Sequence, residues 1–195
     1  MFLKTRLAFA ALALAAAGAA NAGAIPYPNP GTENPTTYTF TAASTGDLVA
    51  YFLGSTASYS EDLGVLVNGV DRGVYGLPNH STAIDTSFNF GSVDAGDVLT
   101  FFIRVHSTGD VFYSTKSMNV DGVNHVYSTD FAGDGAAPAG TYIAFEDLRG
   151  GGDRNYHDET FSFTNVATTV PEPANVALLL AGVGLLGTMA RRRQR

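Results

Sequence analysis

The stretch Tyr142–Val166, YIAFEDLRGGGDRNYHDETFSFTNV, decides how the rest of the chain is read. Its flanks alternate as strands do. Ile143 and Phe145 share one face before the break, and Phe161 and Phe163 share one after it. Between them lie three glycines, Gly150 to Gly152, and six oxygen-bearing side chains: Glu146, Asp147, Asp153, Asn155, Asp158 and Glu159. Five carboxylates in so short a turn repel one another unless a cation or several backbone donors neutralise them. A hard, oxygen-seeking ion such as calcium is the simplest answer.

Outward from this hairpin the text stays that of an all-β protein. Short alternating or apolar runs are separated by Gly, Asp, Asn and Ser, the chemistry of turns. The pattern predicts strands near 37–41, 48–53, 63–67, 87–90, 98–105, 111–113, 125–127, 141–145 and 160–166. Val98 to Ile103 is almost uniformly apolar, which fits a central strand covered on both faces. Asn68-Gly69 is a hairpin signal. No sustained helical period occurs in the body, and the regular strand spacing points to an antiparallel two-sheet β-sandwich, jelly-roll-like in layout.

The two ends read differently. Met1 to Ala22 has a basic start (Lys4, Arg6), an apolar run from Leu7 to Ala17 and the close Ala20-Asn21-Ala22, which fits an A-x-A cleavage site. We read it as an N-terminal signal helix, cleaved on export. Four prolines between Gly23 and Pro35 mark an extended linker or arm rather than core. At the far end Pro171-Glu172-Pro173 precedes an apolar segment, Ala174 to Ala190, followed by Arg191, Arg192, Arg193 and Arg195. That segment meets the lower limit of about 17 residues for a single transmembrane helix. The arginines belong on the cytoplasmic side, with the main domain outside.

This order of parts resembles the PEP-CTERM sorting signal of Gram-negative bacteria. The resemblance implies an exosortase-type sorting enzyme as partner, cutting near the Pro-Glu-Pro motif after transient anchoring in the inner membrane. It also implies delivery to the cell surface or extracellular space, usually alongside extracellular polysaccharide production. The chain then divides into a signal peptide (1–22), a Pro-rich linker (23–36), a β-sandwich domain (37–166) and the sorting signal (167–195).

With the ends set aside the charge changes. Six of the eleven basic residues lie in them, but only Glu172 of the eighteen acids, leaving five basic against seventeen acidic residues and a net charge near −12. Such a body disfavours nucleic acid as a partner and favours cations. It also serves solubility. Cysteine is absent, so an exported domain must be held by its core, helped by a metal if one binds.

The body, from Thr37 to Val166, resembles an uncharacterised domain common in PEP-CTERM proteins. The closing motif carries the likeness: Phe145-Glu146-Asp147-Leu148, Gly150-Gly151-Gly152, then Asp153-Arg154-Asn155-Tyr156-His157-Asp158 and the strand with Phe161 and Phe163. Asn155 and His157 depart from the family pattern, which has Asp and Asn there, so the resemblance implies a weaker ion site than a fully acidic version. It implies a calcium-binding β-sandwich rather than a known enzyme.

The metal-ligand set expected from sequence is Glu146, Asp147, Asp153, Asn155 and Asp158. Oxygens at alternating spacing after glycines are similar to the start of an EF-hand loop, but the twelfth position from Asp153 is Thr164, so Glu146 or Asp147 must supply the bidentate contact. The bland alternative is that these acids only cap turns. Asp121 to Asp134 forms a second acidic-polar stretch, of which one member can approach the same site. Most of it, like Glu61 and Asp62, reads as ordinary solvated loop. The four histidines are scattered and there is no nucleophile elbow, zinc spacing or phosphate loop, so no enzyme is expected. Nine tyrosines without tryptophan leave a carbohydrate-binding module for exopolysaccharide as the alternative to a structural or adhesive surface protein that binds calcium.

Overall fold

The computed structural model describes residues 23–170. The signal segment 1–22, and the transmembrane helix and arginine cluster expected beyond Val170, lie outside the described residues. Eleven strands follow in order: β1 (Thr39–Ala42), β2 (Gly46–Ser55), β3 (Glu61–Val67), β4 (Val70–Gly76), β5 (Ser87–Val93), β6 (Val98–Val105), β7 (Asp110–Tyr113), β8 (Val126–Phe131), β9 (Gly140–Phe145), β10 (Glu159–Thr164) and β11 (Val166–Thr169). One 3-10 turn, Lys116–Met118, is the only helical piece among the described residues.

The strands form two antiparallel sheets. One runs β11-β1-β6-β3-β4, with β7 also on β6; the other runs β5-β2-β10-β9-β8. Their facing sides share one apolar core. Leu63, Val65, Val67, Phe101 and Ile103 come from the first sheet, and Leu48, Ala50, Ile143, Phe161 and Phe163 from the second. Phe101 and Phe163 meet across the layer with ring centroids 4.2 Å apart. β6 is central, as its apolar run predicts. Its outward Phe102 is covered by the rings of Tyr75 and Tyr113 and lies where Gly64 has no side chain, since a Cβ there would come within 2.3 Å of the ring.

Sequence patterns hold where strand phase is strong and slip where it is not. Asn68 (φ 52°) and Gly69 (φ 78°) make the two-residue turn between β3 and β4, with Val67 opposite Val70. β4 itself is exposed along most of its length and contains Gly73, so no alternation betrayed it. The run read as one strand, 160–166, is two. Asn165 takes φ 63° and its side chain grips Ser44 through the backbone N–H, hydroxyl and carbonyl, turning the chain from the second sheet into β11 of the first. The domain thereby extends to Thr169.

The Gly23–Pro35 arm is extended, but it is docked rather than free. Tyr27 packs edge-on against Tyr156 (4.7 Å) and Tyr127 (5.2 Å) in a second apolar cluster with Leu53, Phe131, Tyr142 and Ala144. Proline removes N–H donors and so keeps the arm out of the sheet; it does not prevent burial of the side chains between.

Candidate metal centre

The closing loop joins β9 to β10 across residues 146–158. Gly150, Gly151 and Gly152 all take positive φ, as do Arg154 and Tyr156. At Gly152 the reason is spatial: a Cβ would stand 2.6 Å from Glu146 Oε2. The chain wraps that carboxylate so that the Tyr156 N–H donates to Oε1 at 2.5 Å, while the Glu146 N–H donates to the His125 carbonyl at 3.0 Å. Tyr156 is buried, its hydroxyl donating to the Asn124 carbonyl and accepting from the Asn34 N–H. Glu146 thus anchors the loop from inside.

The expected ligands part company here. Asp153 and Asn155 sit at the tip. Asp153 accepts from the Asn155 N–H (3.2 Å) and side-chain amide, and Asn155 Oδ1 accepts from the His157 N–H. These are turn caps, each oxygen answered by its near neighbours. At the foot of the loop lie Asp147 and Asp158, with the Asp147 N–H donating to Asp158 Oδ2 at 3.1 Å.

Two acids outside the ligand set expected from sequence lie beside that foot, although Glu159 belongs to the acidic run that calls for a cation. Glu61 opens β3 and Glu159 opens β10, and both are fully buried. Neither oxygen of either carboxylate has a donor. The sequence pattern makes Glu61 part of a solvated loop; in the structure it is buried at the start of β3. The groups bearing most strongly on it are Glu159, Asp147 and Asp158, all acidic, and it can bond Asp147 only if one of the two carries a proton. Burial pushes Glu61 up to about 11, with Glu159 adding to it. Burial likewise carries Glu159 far above the carboxylate range and holds Asp158 and Glu146 each at about 7. Strand phase could have found the pair, since Glu61 is in step with Leu63 and Val65, and Glu159 with Phe161 and Phe163.

The 121–134 stretch does reach this loop. Asp121 Oδ2 accepts from the Gly150 N–H (2.8 Å) and contacts His125 Nε2 (3.0 Å), while His125 Nδ1 meets the Glu146 carbonyl and its ring stacks on Phe112 at 4.0 Å. Burial alone would raise Asp121, but these donors and the Val123 N–H hold it at about 2. Elsewhere the tyrosines are packing residues: three are buried, six half-buried and none exposed.

Set against family models, residues 78–165 match the Domain of unknown function (DUF4114) and residues 169–194 match the PEP-CTERM protein-sorting motif. The chain carries a PEP-CTERM sorting motif. It is therefore an exported protein, membrane-anchored in passing until an exosortase processes it. No curated protein and no solved structure matches it. The DUF4114 match runs from just after β4 to the Asn165 corner and contains the whole closing loop and Glu159; Glu61 lies before it. The sorting motif begins at Thr169, the last residue of β11, so the folded domain and the processing signal abut.

Among the described residues no three acidic or histidine groups close on one point at ligating geometry. The donor chemistry nonetheless suits calcium. The groups at the loop foot are all carboxylates, and buried carboxylates without donors cost several kcal/mol each unless a proton or a cation answers them. Calcium would supply the missing positive charge there.

Proposed function

We propose that the exported domain is a non-enzymatic structural or adhesive protein of the cell surface or extracellular matrix, stabilised by calcium at its closing loop. The observation that carries this reading is the burial of Asp147 and Glu146, with half-buried Asp158, in an acidic body without disulfides. An ion bound only by the folded state adds stability by mass action, about 2.7 kcal/mol at a hundredfold excess over Kd. For a domain of this size that is roughly 5–10 °C in Tm. The histidines support a non-catalytic reading: His125 packs under the loop, His157 meets Thr56, and His80 and His106 are exposed and apart.

The test is thermal melting of the full chain in mild detergent, with millimolar calcium and with chelator. A rise of several degrees with calcium is expected, and magnesium should do much less because it dehydrates reluctantly. Identical melting curves in calcium and chelator would overturn the metal reading.

A further inference from the structure

The structure assigns the calcium ion to Glu61, Asp147, Asp158 and Glu159, beneath the loop and between the sheets, rather than to the loop tip; these side chains draw in around the ion on binding, since no three of them stand at ligating geometry without it. The inference rests on the calcium reading above and changes where the ion sits and what it joins.

Glu61 and Glu159 belong to opposite sheets, and each is the first residue of its strand. Side chains two apart on a strand share a face. Glu61 therefore continues the row Leu63, Val65, Val67, and Glu159 the row Phe161, Phe163, all members of the shared core. Each glutamate adds one carboxylate to the end of an apolar row, pointing inward from its own sheet. Both are 0% exposed and all four of their oxygens lack a donor.

Their backbones leave no doubt about register. Asn79 brackets Glu61, its side-chain oxygen accepting the Glu61 N–H (3.1 Å) and its own N–H donating to the Glu61 carbonyl (3.2 Å). Glu159 is paired on both sides, opposite Phe145 and Ser55. The main chain is fixed while the carboxylates are unclaimed. Asp147 and Asp158 close the same end from the loop, linked by the Asp147 N–H.

This donor set selects an ion. Four carboxylates and no sulfur or imidazole suit a hard cation. Calcium takes about six to eight oxygens and accepts bidentate carboxylates, whereas magnesium keeps several waters and needs a strict octahedron. Held here, the ion ties β3 of one sheet to β10 of the other and to the loop, the part a disulfide plays in other exported domains.

The experiment is calcium titration calorimetry on the full chain in detergent, with melting in calcium and in chelator, for the wild type, Glu61→Gln, Glu159→Gln and Asp153→Ala with Asn155→Ala. Glu61→Gln and Glu159→Gln should each weaken calcium binding at least about tenfold and remove most of the calcium-dependent rise in Tm. Both should melt in chelator close to the wild type, because a buried glutamate without metal carries a proton, and the amide that replaces it is likewise neutral and donates to a neighbouring carboxylate. The tip double variant should keep wild-type affinity. The reverse pattern, with tip variants losing calcium and the glutamine variants keeping it, overturns this assignment and leaves the calcium reading standing. A wild type that takes up no calcium removes that reading itself. Should the glutamine variants not fold, crystals of the wild type grown with calcium decide the matter by anomalous scattering: an ion between Glu61 and Glu159 supports the assignment, and one at Asp153 overturns it.

Discussion

At the tip of the closing loop the Asp153 carboxylate is answered by the Asn155 backbone and amide two residues on; at the foot of the same loop Glu61 and Glu159 find no donor at all. Both regions present carboxylates, and the chain separation from Asp153 to Glu159 is small. What differs is who can reach the oxygens. At the tip, local turn geometry brings N–H groups to acids exposed to water. At the foot, Glu61 and Glu159 continue two apolar rows, and no donor reaches their carboxylates. Counting acids along a sequence finds the tip first, but the energetics of unpaired charge point to the foot.

The largest effect that separates the two regions is the pH dependence of the metal-free protein. Glu146 and Asp158 stand at about 7 in the folded state, and Glu61 and Glu159 higher still, against roughly 4 when unfolded. The folded state thus binds more protons. Stability in chelator is complete below about pH 4 and falls as pH climbs through 7. At about 1.4 kcal/mol per pKa unit, Glu146 or Asp158 alone accounts for a loss on the order of 3 kcal/mol between pH 5 and pH 8, so even one of the four groups moves Tm by roughly 5–10 °C. Calcium binds the ionised forms, so its stabilisation grows over the same range and offsets the fall. A metal-free protein with a flat profile from pH 5 to 8 would show that the foot is no different from the tip.

Next in size is the pair Gly152→Ala and Gly150→Ala. Both glycines have positive φ, which costs an L-residue roughly 1–2 kcal/mol. At Gly150 a Cβ meets nothing within 4 Å, so that is the whole cost. At Gly152 it meets the Glu146 carboxylate at 2.6 Å and disturbs the bond from the Tyr156 N–H. Losing a charge-assisted buried bond adds about 1–3 kcal/mol, so Gly152→Ala should cost about twice as much in denaturant unfolding. Equal costs would mean that the loop does not depend on its inner carboxylate.

Much of this architecture was legible because strand phase is a local property. Ile143, Phe145, Phe161 and Phe163 all face the shared core, as their alternation predicts, and Asn68-Gly69 makes the turn its φ preference demands. The site was half legible. Asp147 and Asp158 announce themselves by crowding, but Glu61 follows a polar stretch and precedes Asp62, which pairs with Arg104 on the other face of β3. Two adjacent acids look solvated until the strand is known to start at the first of them. That Glu61 and Glu159 feel one another's charge depends on which sheet each strand joins, and no spacing along the chain encodes that. The docked arm and the Asn165 corner were hidden for a similar reason, since both depend on partners more than a hundred residues away.

The smallest effect is expected at the tip itself. Asp153→Ala with Asn155→Ala removes bonds that compete with water, so the loss should stay near 1 kcal/mol or below, about 2–4 °C. Melting alone would not distinguish a dispensable cap from one that sets the loop's shape, and amide exchange does. The Tyr156 N–H is held by Glu146 rather than by either tip residue, so its protection should persist in the double variant. It should disappear in Gly152→Ala. If the tip variant exposes the Tyr156 amide, the caps hold the loop around Glu146, and tip and foot form one cooperative unit instead of two regions with separate duties.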